Sequence, residues 1–552
     1  MEKIRPMLFT TLKKYSGAQL MSDVVAGIIV AIIALPLSIA LALASGVGPE
    51  QGIYTAIAAG FVISFLGGSQ VQIAGPTAAF ATIVAGIVAK SGVEGLAIAT
   101  IMAGIILVIM GFCHFGSLIK FIPFTITTGF TSGIAVTIVI GQLKDFFGVT
   151  YPAGMETIET MQKLKAFAAG FGSVNLHAII VGVVCLAILI VMPMITEKIP
   201  GSLVAVIAGI LMVKFLPLHV NTIGDLYTVS NKLPAFRLPV FSYDVIQGSL
   251  SDAFTIAVLA AIESLLSCVV ADGMIGGKHR SNTELVAQGA GNIISALFGG
   301  IPATGAIART AANVKNGGRT PVAGMVHAFT LLLILLFLMP YASLIPMTCL
   351  ASILMIVGYN MSGWRTVGRM IKRAPKSDVA VLLVTFVLTV FFDLVVAIEF
   401  GMVLAAFLFL KRMSDVAQIR QWVDKENLDD PVLSEDSDLK QVPKNTVVYE
   451  VFGALFFGAA NNFLNVINDE TKNVLILRMR NVPAMDISGL DALEETLAIC
   501  QKRGMTLLLS HVNPQPYRVL EKSGFIQTIG PDHICESTDQ ALEKAAALAQ
   551  EA

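Results

Sequence analysis

Apolar residues dominate the chain as far as about residue 410 and then give way to a polar, acidic stretch. Within the apolar part, runs long enough to cross a bilayer alternate with runs that Pro or Gly interrupts. A bilayer core is about 30 Å thick and takes roughly 20 apolar residues of helix. The pattern predicts a polytopic α-helical membrane protein with fourteen candidate segments. These segments begin near residues 22, 52, 77, 94, 119, 176, 200, 254, 283, 304, 321, 342, 378 and 394.

One run, in "QIAGPTAAFATIVAGIVAK", begins too late to span. Thr77 to Ala89 covers 13 residues, roughly 20 Å of helix at about 1.5 Å per residue, and the Gly75–Pro76 pair prevents extension backwards. A matching stretch, "GGIPATGAIARTAANVK", opens a second short helix from Thr304 to Val314. Each is the third segment of a set of seven, so the sequence predicts two inverted seven-segment repeats.

Two half-helices that enter the bilayer from opposite sides would direct their N-termini at one site near the midplane. A helix N-terminus carries partial positive charge and several free N–H donors. A facing pair therefore forms an anion site without a formal cation. The alternative for each segment is an ordinary Pro-kinked helix that packs normally.

Three ionisable side chains fall inside the apolar segments, where each is costly and marks a functional candidate. Glu263 lies four residues before Ser267, so both share a helix face; the alternative for Glu263 is a structural carboxyl bonded to a neighbouring helix. Arg309 lies about one turn into the second half-helix. It would attract the anion, pair with a carboxylate or reach cytoplasmic water. Glu399 is given a structural role.

Composition supports the membrane assignment and excludes other classes. The 552 residues are 55% hydrophobic and 14% charged, with mean hydropathy +0.77, which most of a chain in lipid would show. A net charge of -1 gives no indication of a nucleic-acid partner. The six cysteines have neither metal-ligand spacing nor a disulfide framework. The histidines are scattered and there is no P-loop, so we expect no enzyme and no ATP-driven pump.

The N-terminus and the tail complete the predicted organisation. Residues 1–20 carry Lys and Arg without a cleavable apolar run, which predicts a cytoplasmic amphipathic segment rather than a signal peptide. An even number of spans and the positive-inside bias of the short loops place both termini in the cytoplasm. The predicted domains are a transport domain at 21–413, an acidic linker at 414–440 and a small α/β domain at 441–552, where strands and helices alternate.

The chain resembles the SulP family of sulfate permeases and related anion transporters. The resemblance is carried by "ALPLSIALALASGVGPEQGIYTA", "QIAGPTAAFAT" and "GGIPATGAIARTAANVKNGGRT", and the tail, with "MRNVPAMDISGLDALEE", resembles a STAS domain. It implies fourteen segments in a core and a gate subdomain, a homodimer and a cytoplasmic STAS domain. It also implies a substrate site between the third and tenth segments. The matching positions are Thr77, Ala78, Ala79, Phe80, Gly305, Ala306 and Ile307, with Arg309 beside them.

The same resemblance implies a coupling site. Glu263 and Ser267 match the acid and hydroxyl that bind sodium in bicarbonate members of the family, but those members have Asp, so sodium and proton coupling both stay open. Arg309 matches a basic residue of many animal members, where bicarbonate members have a small residue. In the tail, "DISG" places Ser488 where bacterial anti-sigma-factor antagonists carry a phosphorylated Ser. The alternative is that Asp486 or Ser488 caps the following helix.

These observations predict a secondary active transporter of a bacterial inner membrane that moves a small oxyanion, foremost sulfate, with a proton or sodium ion and no other cofactor. Bicarbonate or C4-dicarboxylate transport is the alternative within the family. A nucleobase permease is disfavoured by the STAS tail, and an uncoupled anion channel by the acid at position 263. A transport-incompetent sensor acting through Ser488 is the remaining alternative.

Overall fold

The chain divides into two compact units, Met1–Met402 and Val403–Ala552. The structure is a computed structural model, and its described residues are 4–117, 122–155, 157–196, 200–392, 394–416, 418–421, 442–443, 445–456 and 472–551.

The first unit is helical, and its last helix runs on into the second unit. The helices are α1 (Leu8–Thr11), α2 (Gly17–Ala44), α3 (Pro49–Leu66), α4 (Ala78–Phe112), α5 (Phe124–Phe147), α6 (Thr160–Gly170), α7 (Leu176–Ile195), α8 (Gly201–Phe215), α9 (Ile223–Leu226), α10 (Tyr243–Ile275), α11 (Ser281–Leu297), α12 (Ile307–Lys315), α13 (Val322–Ala342), α14 (Met347–Met361), α15 (Trp364–Arg373), α16 (Lys376–Phe391) and α17 (Leu394–Val416).

Seven helical stretches within the described residues are long and apolar enough to cross a membrane, so the protein is a multi-pass membrane protein. They lie in α2, α4, α5, α7, α10, α13 and the segment Met347–Arg373. Helices begin close to most of the fourteen predicted starts, although α10 begins at Tyr243, well before residue 254. Several are too short to span alone, and the number of crossings stays a prediction.

The two predicted half-helices are present, with altered bounds. The helix predicted at Thr77 begins at Ala78, with Thr77 as its N-cap, and α4 breaks at Gly92, whose φ of 69° is left-handed. The second begins at Ile307 rather than Thr304. Thr304 and Gly305 instead form strand β2, which pairs antiparallel with strand β1 (Ala74–Gly75).

The N-terminal segment, predicted to be amphipathic at residues 1–20, is described from residue 4 onward. It forms the four-residue α1 and a 3-10 turn, and α2 begins at Gly17. Met7 and Leu8 are buried, and the Met7 N–H donates to the carbonyl of Gly67 at 2.8 Å. The guanidinium of Arg280 donates to the carbonyl of Arg5 at 2.8 Å. This segment therefore packs on the protein, because its apolar residues find a protein surface next to α3 and α11.

Helix α4 and helix α11 pack through glycines. A Cβ on Gly104 would lie 2.6 Å from the carbonyl oxygen of Gly289, and a Cβ on Gly289 would lie 2.8 Å from the amide nitrogen of Val108. Small residues let membrane helices approach to backbone contact. This contact holds α11 against the helix that contains the first half-helix opening.

The second unit contains a five-stranded sheet with strands β3 (Gln418–Gln421), β4 (Thr446–Phe452), β5 (Val474–Asn481), β6 (Thr506–Ser510) and β7 (Ile534–Cys535) in that order. Strand β3 is antiparallel to β4 and the other pairs are parallel. Its helices are α18 (Ile487–Lys502), α19 (Pro514–Lys522), α20 (Phe525–Ile529) and α21 (Thr538–Glu551). Part of the predicted acidic linker, at Gln418–Gln421, is thus a sheet strand, while residues 422–440 of it lie outside the described residues.

The sheet of the second unit is covered on both faces, as parallel sheets are. Leu475, Leu477 and Met479 of β5 pack in the core that contains α18. Val474 and Ile476, which alternate with them, pack in the core that contains α21. Two small cores around one sheet confirm the α/β domain expected for the tail.

Candidate functional site

The openings of the two half-helices are joined by backbone hydrogen bonds. Ala74 pairs with Gly305 and Gly75 with Thr304 in the β1–β2 ladder, and all four residues are buried. Helix α4 begins three residues after β1, and α12 begins two residues after β2. The ladder therefore brings two helix N-termini to one place inside the first unit.

The first opening presents unused backbone donors. The side chain of Thr77 makes no cap hydrogen bond to the helix, and the Phe80 N–H donates back to the Thr77 carbonyl at 3.2 Å. Among the described residues, the N–H groups of Ala78 and Ala79 have no hydrogen-bond acceptor, as expected for the first turn of a helix. The Phe80 side chain is buried in the hydrophobic core beside them. Backbone N–H groups are therefore the donors that this opening offers to an anion.

The second opening divides its donors differently from what the sequence implied. The Gly305 N–H donates to Ser264 Oγ at 3.4 Å, and the Ala306 N–H donates to the Ile73 carbonyl at 2.9 Å. Both amides are thus occupied by the protein. The first helical bond of α12 runs from Thr310 N to the Ala306 carbonyl, and Ile307 is 43% exposed. Among the described residues, the first N–H group of this opening without an acceptor is that of Ile307. The free donors of the second opening therefore belong to the first turn of α12 and not to Gly305 and Ala306, as the sequence implied.

Glu263 and Thr77 meet directly. The hydroxyl of Thr77 donates to Glu263 Oε2 at 2.9 Å, joining α10 to the first opening. The predicted partner Ser267 is placed elsewhere: it is buried and donates to Thr310 Oγ1 at 3.4 Å. The structure thus brings Glu263 to the opening of the first half-helix and leaves Ser267 one turn away, supporting α12.

Ser264 is a contact that sequence reasoning missed. Its hydroxyl lies 2.7 Å from Thr304 Oγ1 and accepts from the Gly305 N–H. Thr310 of α12 accepts from the Ile73 N–H at 3.0 Å, on the first stretch. Hydroxyls from α10 and α12 therefore fix both strands of the ladder.

Arg309 crosses from the second half-helix to the first. Its Nη2 donates to the carbonyl of Pro76 at 3.1 Å and to Ser38 Oγ of α2 at 3.3 Å. The side chain is 1% exposed, and its Nε and Nη1 have no hydrogen-bond partner in the part of the chain that the structure describes. The side chain thus reaches neither solvent nor, among the described residues, a carboxylate within ion-pair distance. It places a guanidinium beside the first opening, and its role toward an anion stays a prediction.

A buried carboxylate on α11 supports the first opening from behind. Glu284 accepts hydrogen bonds from the N–H groups of Gly68 and Ser69 at 2.8 and 3.1 Å, and from the side-chain amides of Gln72 and Gln288 at 3.0 and 2.8 Å. It is 1% exposed. Asn292, two turns further along α11, bonds both the N–H and the carbonyl of Ala303. Helix α11 therefore holds the irregular backbone before both half-helices, which is tolerated at membrane depth only when buried and satisfied.

Glu284, Gln288 and Asn292 are spaced four residues apart in "SNTELVAQGAGNIISAL". This spacing places three polar side chains on one face of an otherwise apolar helix. The stripe is the sequence signal that could have identified α11 as the support of the site.

A cavity of about 580 Å³ leads to the first opening. Its walls include Ala79, Thr82 and Lys90 of α4, Thr137 of α5 and Asp252 of α10. Lys90 Nζ lies 4.0 Å from Asp252 Oδ2 at the outer part of this cavity. Ala79, a predicted substrate contact, therefore lines this cavity at the first turn of α4.

The remaining predicted positions are in the second unit. Asp486 caps α18, with its Oδ1 accepting from the Gly489 N–H at 2.9 Å, so the capping alternative holds for Asp486. Ser488 lies in the first turn of α18 and is half-buried; its phosphorylation stays a prediction. The described residues contain no cluster of three or more His, Cys, Asp or Glu side chains suited to a metal.

Comparison with known proteins agrees with this architecture. Residues 20–385 match the sulfate permease family and residues 438–541 match the STAS domain. YvdB of Bacillus subtilis, whose name describes it as a sulfate transporter, is 39% identical to this chain. The similarity covers 96% of this chain and 98% of YvdB. The bicarbonate transporter BicA of Picosynechococcus is 31% identical over 95% of this chain and 94% of its own.

Solved structures give the same fold. The overall structure of SLC26A9 covers 99% of this chain and 93% of its own at a TM-score of 0.88 and 18% identity. The transmembrane domain of a cyanobacterial BicA covers 73% of this chain and 100% of its own at a TM-score of 0.62 and 29% identity. The chain is a membrane transporter rather than an enzyme; it belongs to the sulfate permease family and carries a C-terminal STAS domain.

Proposed function

We propose that this protein is a secondary active transporter of a small inorganic oxyanion, foremost sulfate, coupled to the uptake of a cation at Glu263. The observation that carries the proposal is the β1–β2 ladder, which brings the N-termini of α4 and α12 together. Each N-terminus is equivalent to about half a positive charge, and its first N–H groups have no acceptor within the helix. Two such ends facing one space favour an anion.

Charge balance at the site favours a dianion together with a cation. The two helix ends supply about one positive charge in total, and Arg309 adds another. A bound sulfate with two negative charges would balance these three contributions, but the carboxylate of Glu263 adds one more negative charge. One proton or one sodium ion restores neutrality. Burial of an unbalanced charge at membrane depth is costly, so sulfate and the cation should bind together.

The hydrogen bond between Thr77 and Glu263 supplies a physical link between the two binding events. While Glu263 is ionised, its carboxylate accepts the one hydrogen bond that the Thr77 hydroxyl can donate. When Glu263 gains a proton, its own O–H can donate to Thr77 Oγ1, and the Thr77 hydroxyl proton can then turn toward the anion. A sodium ion bound by Glu263 and the oxygen of Thr77 would turn the hydroxyl in the same direction.

The direct test is uptake into proteoliposomes that contain the purified full chain. Labelled sulfate, bicarbonate, succinate, chloride and uracil are offered separately, with an acid-outside pH gradient or with a sodium gradient at symmetric pH. We expect sulfate to accumulate above its equilibrium level under one of the two gradients. Sulfate uptake that never exceeds equilibration would contradict coupling, and accumulation of another substrate alone would replace sulfate.

Bicarbonate is the second candidate because of the 31% identity to the bicarbonate transporter BicA. Bicarbonate carries one negative charge, so with Arg309 present the site would be balanced by Glu263 itself without a coupling cation. On this account bicarbonate transport by this chain would be less dependent on sodium or protons than sulfate transport. Competition of unlabelled bicarbonate with labelled sulfate measures which anion the site prefers.

We infer a homodimer in a bacterial inner membrane with both termini in the cytoplasm. The inference rests on the family resemblance and on the distribution of Lys and Arg between short loops, which sets orientation. Cross-linking in native membranes tests the dimer, and protease access to a C-terminal tag tests the orientation.

A further inference from the structure

Helix α15 (Trp364–Arg373) is a short cationic helix between two apolar ones. Its sequence is WRTVGRMIKR. Only Ser362 and Gly363 separate it from the end of α14, and only Ala374 and Pro375 separate it from the start of α16. Gly363 has a left-handed φ of 52°, which turns the chain between α14 and α15. Since α14 and α16 are apolar helices of the membrane unit, α15 is tethered within a few residues of the bilayer surface.

The residues of α15 separate cleanly around the helix axis. With 100° per residue, Trp364, Val367, Met370 and Ile371 fall on one side. The four cations, Arg365, Arg369, Lys372 and Arg373, fall together on an adjacent side, and the helix has no acidic residue. A short amphipathic helix with Trp on its apolar side and a row of Lys and Arg is the composition of helices that lie in the membrane interface.

The protein leaves this helix largely uncovered. Trp364 is 54% and Ile371 is 48% exposed, and none of the residues of α15 is fully buried. The Trp364 indole N–H donates to the Tyr359 hydroxyl at 3.1 Å, and the Arg365 guanidinium lies 5.2 Å from the Trp364 ring centre. Among the described residues, none of the four cations lies within ion-pair distance of a carboxylate. In the described part of the protein, Trp364, Ile371 and all four cations are therefore exposed at the surface.

We propose that α15 lies in the membrane interface and binds the phosphate groups of anionic phospholipids through Arg365, Arg369, Lys372 and Arg373. Trp364 and Ile371 enter the boundary between headgroups and acyl chains, and the cations face the headgroups. The negative surface potential of an anionic leaflet attracts Lys and Arg side chains that lie within about a Debye length of it.

The chain offers a direct spectroscopic reporter, because it contains two tryptophans, Trp364 and Trp422. A Trp422→Phe variant of the full chain leaves Trp364 as its single indole. The protein is reconstituted in phosphatidylcholine bilayers that contain phosphatidylglycerol at a fixed mole fraction. Bromine-labelled acyl chains are placed either on the phosphatidylglycerol or on an equal fraction of the phosphatidylcholine. Bromine quenches Trp fluorescence at contact, so the ratio of the two quenching efficiencies reports which lipid is next to Trp364.

We expect brominated phosphatidylglycerol to quench Trp364 at least threefold more than brominated phosphatidylcholine, and we expect high salt to reduce the ratio. Replacement of the four α15 cations by Gln should return the ratio to one while size-exclusion behaviour is retained. The matched control replaces four exposed cations of the second unit by Gln, at Lys502, Arg503, Arg518 and Lys522, and should leave the ratio unchanged. Equal quenching by both lipids, no quenching by either, or a preference that survives in the α15 variant would each overturn the proposal.

Discussion

The hydroxyl of Thr77 can donate a single hydrogen bond, and it donates that bond to Glu263. A Thr77→Val change keeps the shape of the side chain and removes this donor. Loss of one hydrogen bond to a charged group costs about 1.5–3 kcal/mol, which corresponds to roughly ten- to a hundredfold in affinity. In the proposed loaded state this hydroxyl turns from Glu263 to the anion, so we expect a loss of that size in the apparent affinity for sulfate in liposome uptake, and recovery in Thr77→Ser.

The matched control for Thr77 is Thr100→Val. Thr100 lies on the same helix, α4, is buried, and donates to the Leu96 carbonyl at 2.7 Å within the helix. The same atoms are removed, but away from both openings, so affinity should stay at the parental value. Unchanged affinity in Thr77→Val, or an equal loss in both variants, would refute a role for the Thr77 hydroxyl in substrate binding.

Cys500 of the second unit provides a residue-level test of burial. Burial raises the pKa of its thiol to about 11, while the nearby Arg503 acts in the opposite direction. The folded domain thus holds the thiol proton more tightly than the unfolded chain, whose thiol has a pKa near 9.0. Sign and range follow from linkage: this contribution to stability is complete below about pH 9 and is lost as the pH rises toward 11.

The measurement for Cys500 is urea unfolding of the C-terminal unit, expressed from residue 417 onward, at several pH values from 8 to 10.5. We expect the free energy of unfolding to fall with pH more steeply in the parent than in Cys500→Ala, where the thiol is absent. Parallel pH profiles would show that the thiol is ionised as readily in the folded domain as in the unfolded chain.

Single residues also mark the limit of what the sequence predicted. The spacing of Glu263 and Ser267 predicts a shared face of α10, but Ser264 and not Ser267 contacts the ladder. Ser264 and Ser267 both lie within about one turn of Glu263 in the sequence. The position of β2 and α12 decides that Ser264 contacts Thr304 and Ser267 contacts Thr310. Arg309 illustrates the same limit, because its acceptor is the carbonyl of Pro76 on a distant segment.

At the scale of elements, the sequence predicted the first half-helix better than the second. Pro76 and the N-cap Thr77 are local signals, and α4 begins one residue from the predicted start. The predicted start at Thr304 was wrong because Thr304 and Gly305 pair with Gly75 and Ala74. Such pairing joins segments far apart in the chain, and no local propensity reports it. Strand β3 was missed for the same reason, since a four-residue stretch with three polar residues becomes a strand only beside β4.

The contact between α4 and α11 gives an element-level prediction. A methyl group on Gly289 would meet backbone atoms of Gly104 and Val108, which cannot rotate away. Overpacking of this kind costs about 1–3 kcal/mol. Gly289→Ala should therefore lower the temperature at which the detergent-solubilised protein loses its compact state, as followed by fluorescence-detected size exclusion.

Gly273→Ala is the control for this contact, because nothing lies within 4 Å of the position its Cβ would take. It should leave the transition temperature unchanged or raise it slightly, since Ala favours a helix over Gly. If Gly289→Ala is as stable as Gly273→Ala, that result would contradict backbone contact between α4 and α11 at Gly289.

At the scale of the whole molecule, the two units have separate cores, so removal of the second should leave the first able to fold. The cut belongs before Gln418, because a cut at residue 441 would leave β3 without its partner strand. We expect a chain that ends at Val416 to bind sulfate with an affinity close to that of the full chain, measured by scintillation proximity on purified protein. A truncated protein that is folded but binds no sulfate would show that the STAS domain takes part in the site.

The central claim is that Glu263 couples a cation to the anion held between the two half-helix ends. Glu263→Gln keeps the shape of the side chain, carries no charge and can donate to Thr77 as a protonated acid would. The most direct measurement is sulfate accumulation by Glu263→Gln and parental proteoliposomes under the same pH or sodium gradient, with sulfate exchange at symmetric conditions measured in parallel. We predict that the variant loses accumulation above equilibrium and keeps sulfate binding and exchange, because the helix ends are intact. If the variant concentrates sulfate as the parent does, Glu263 is structural and the coupling account is wrong.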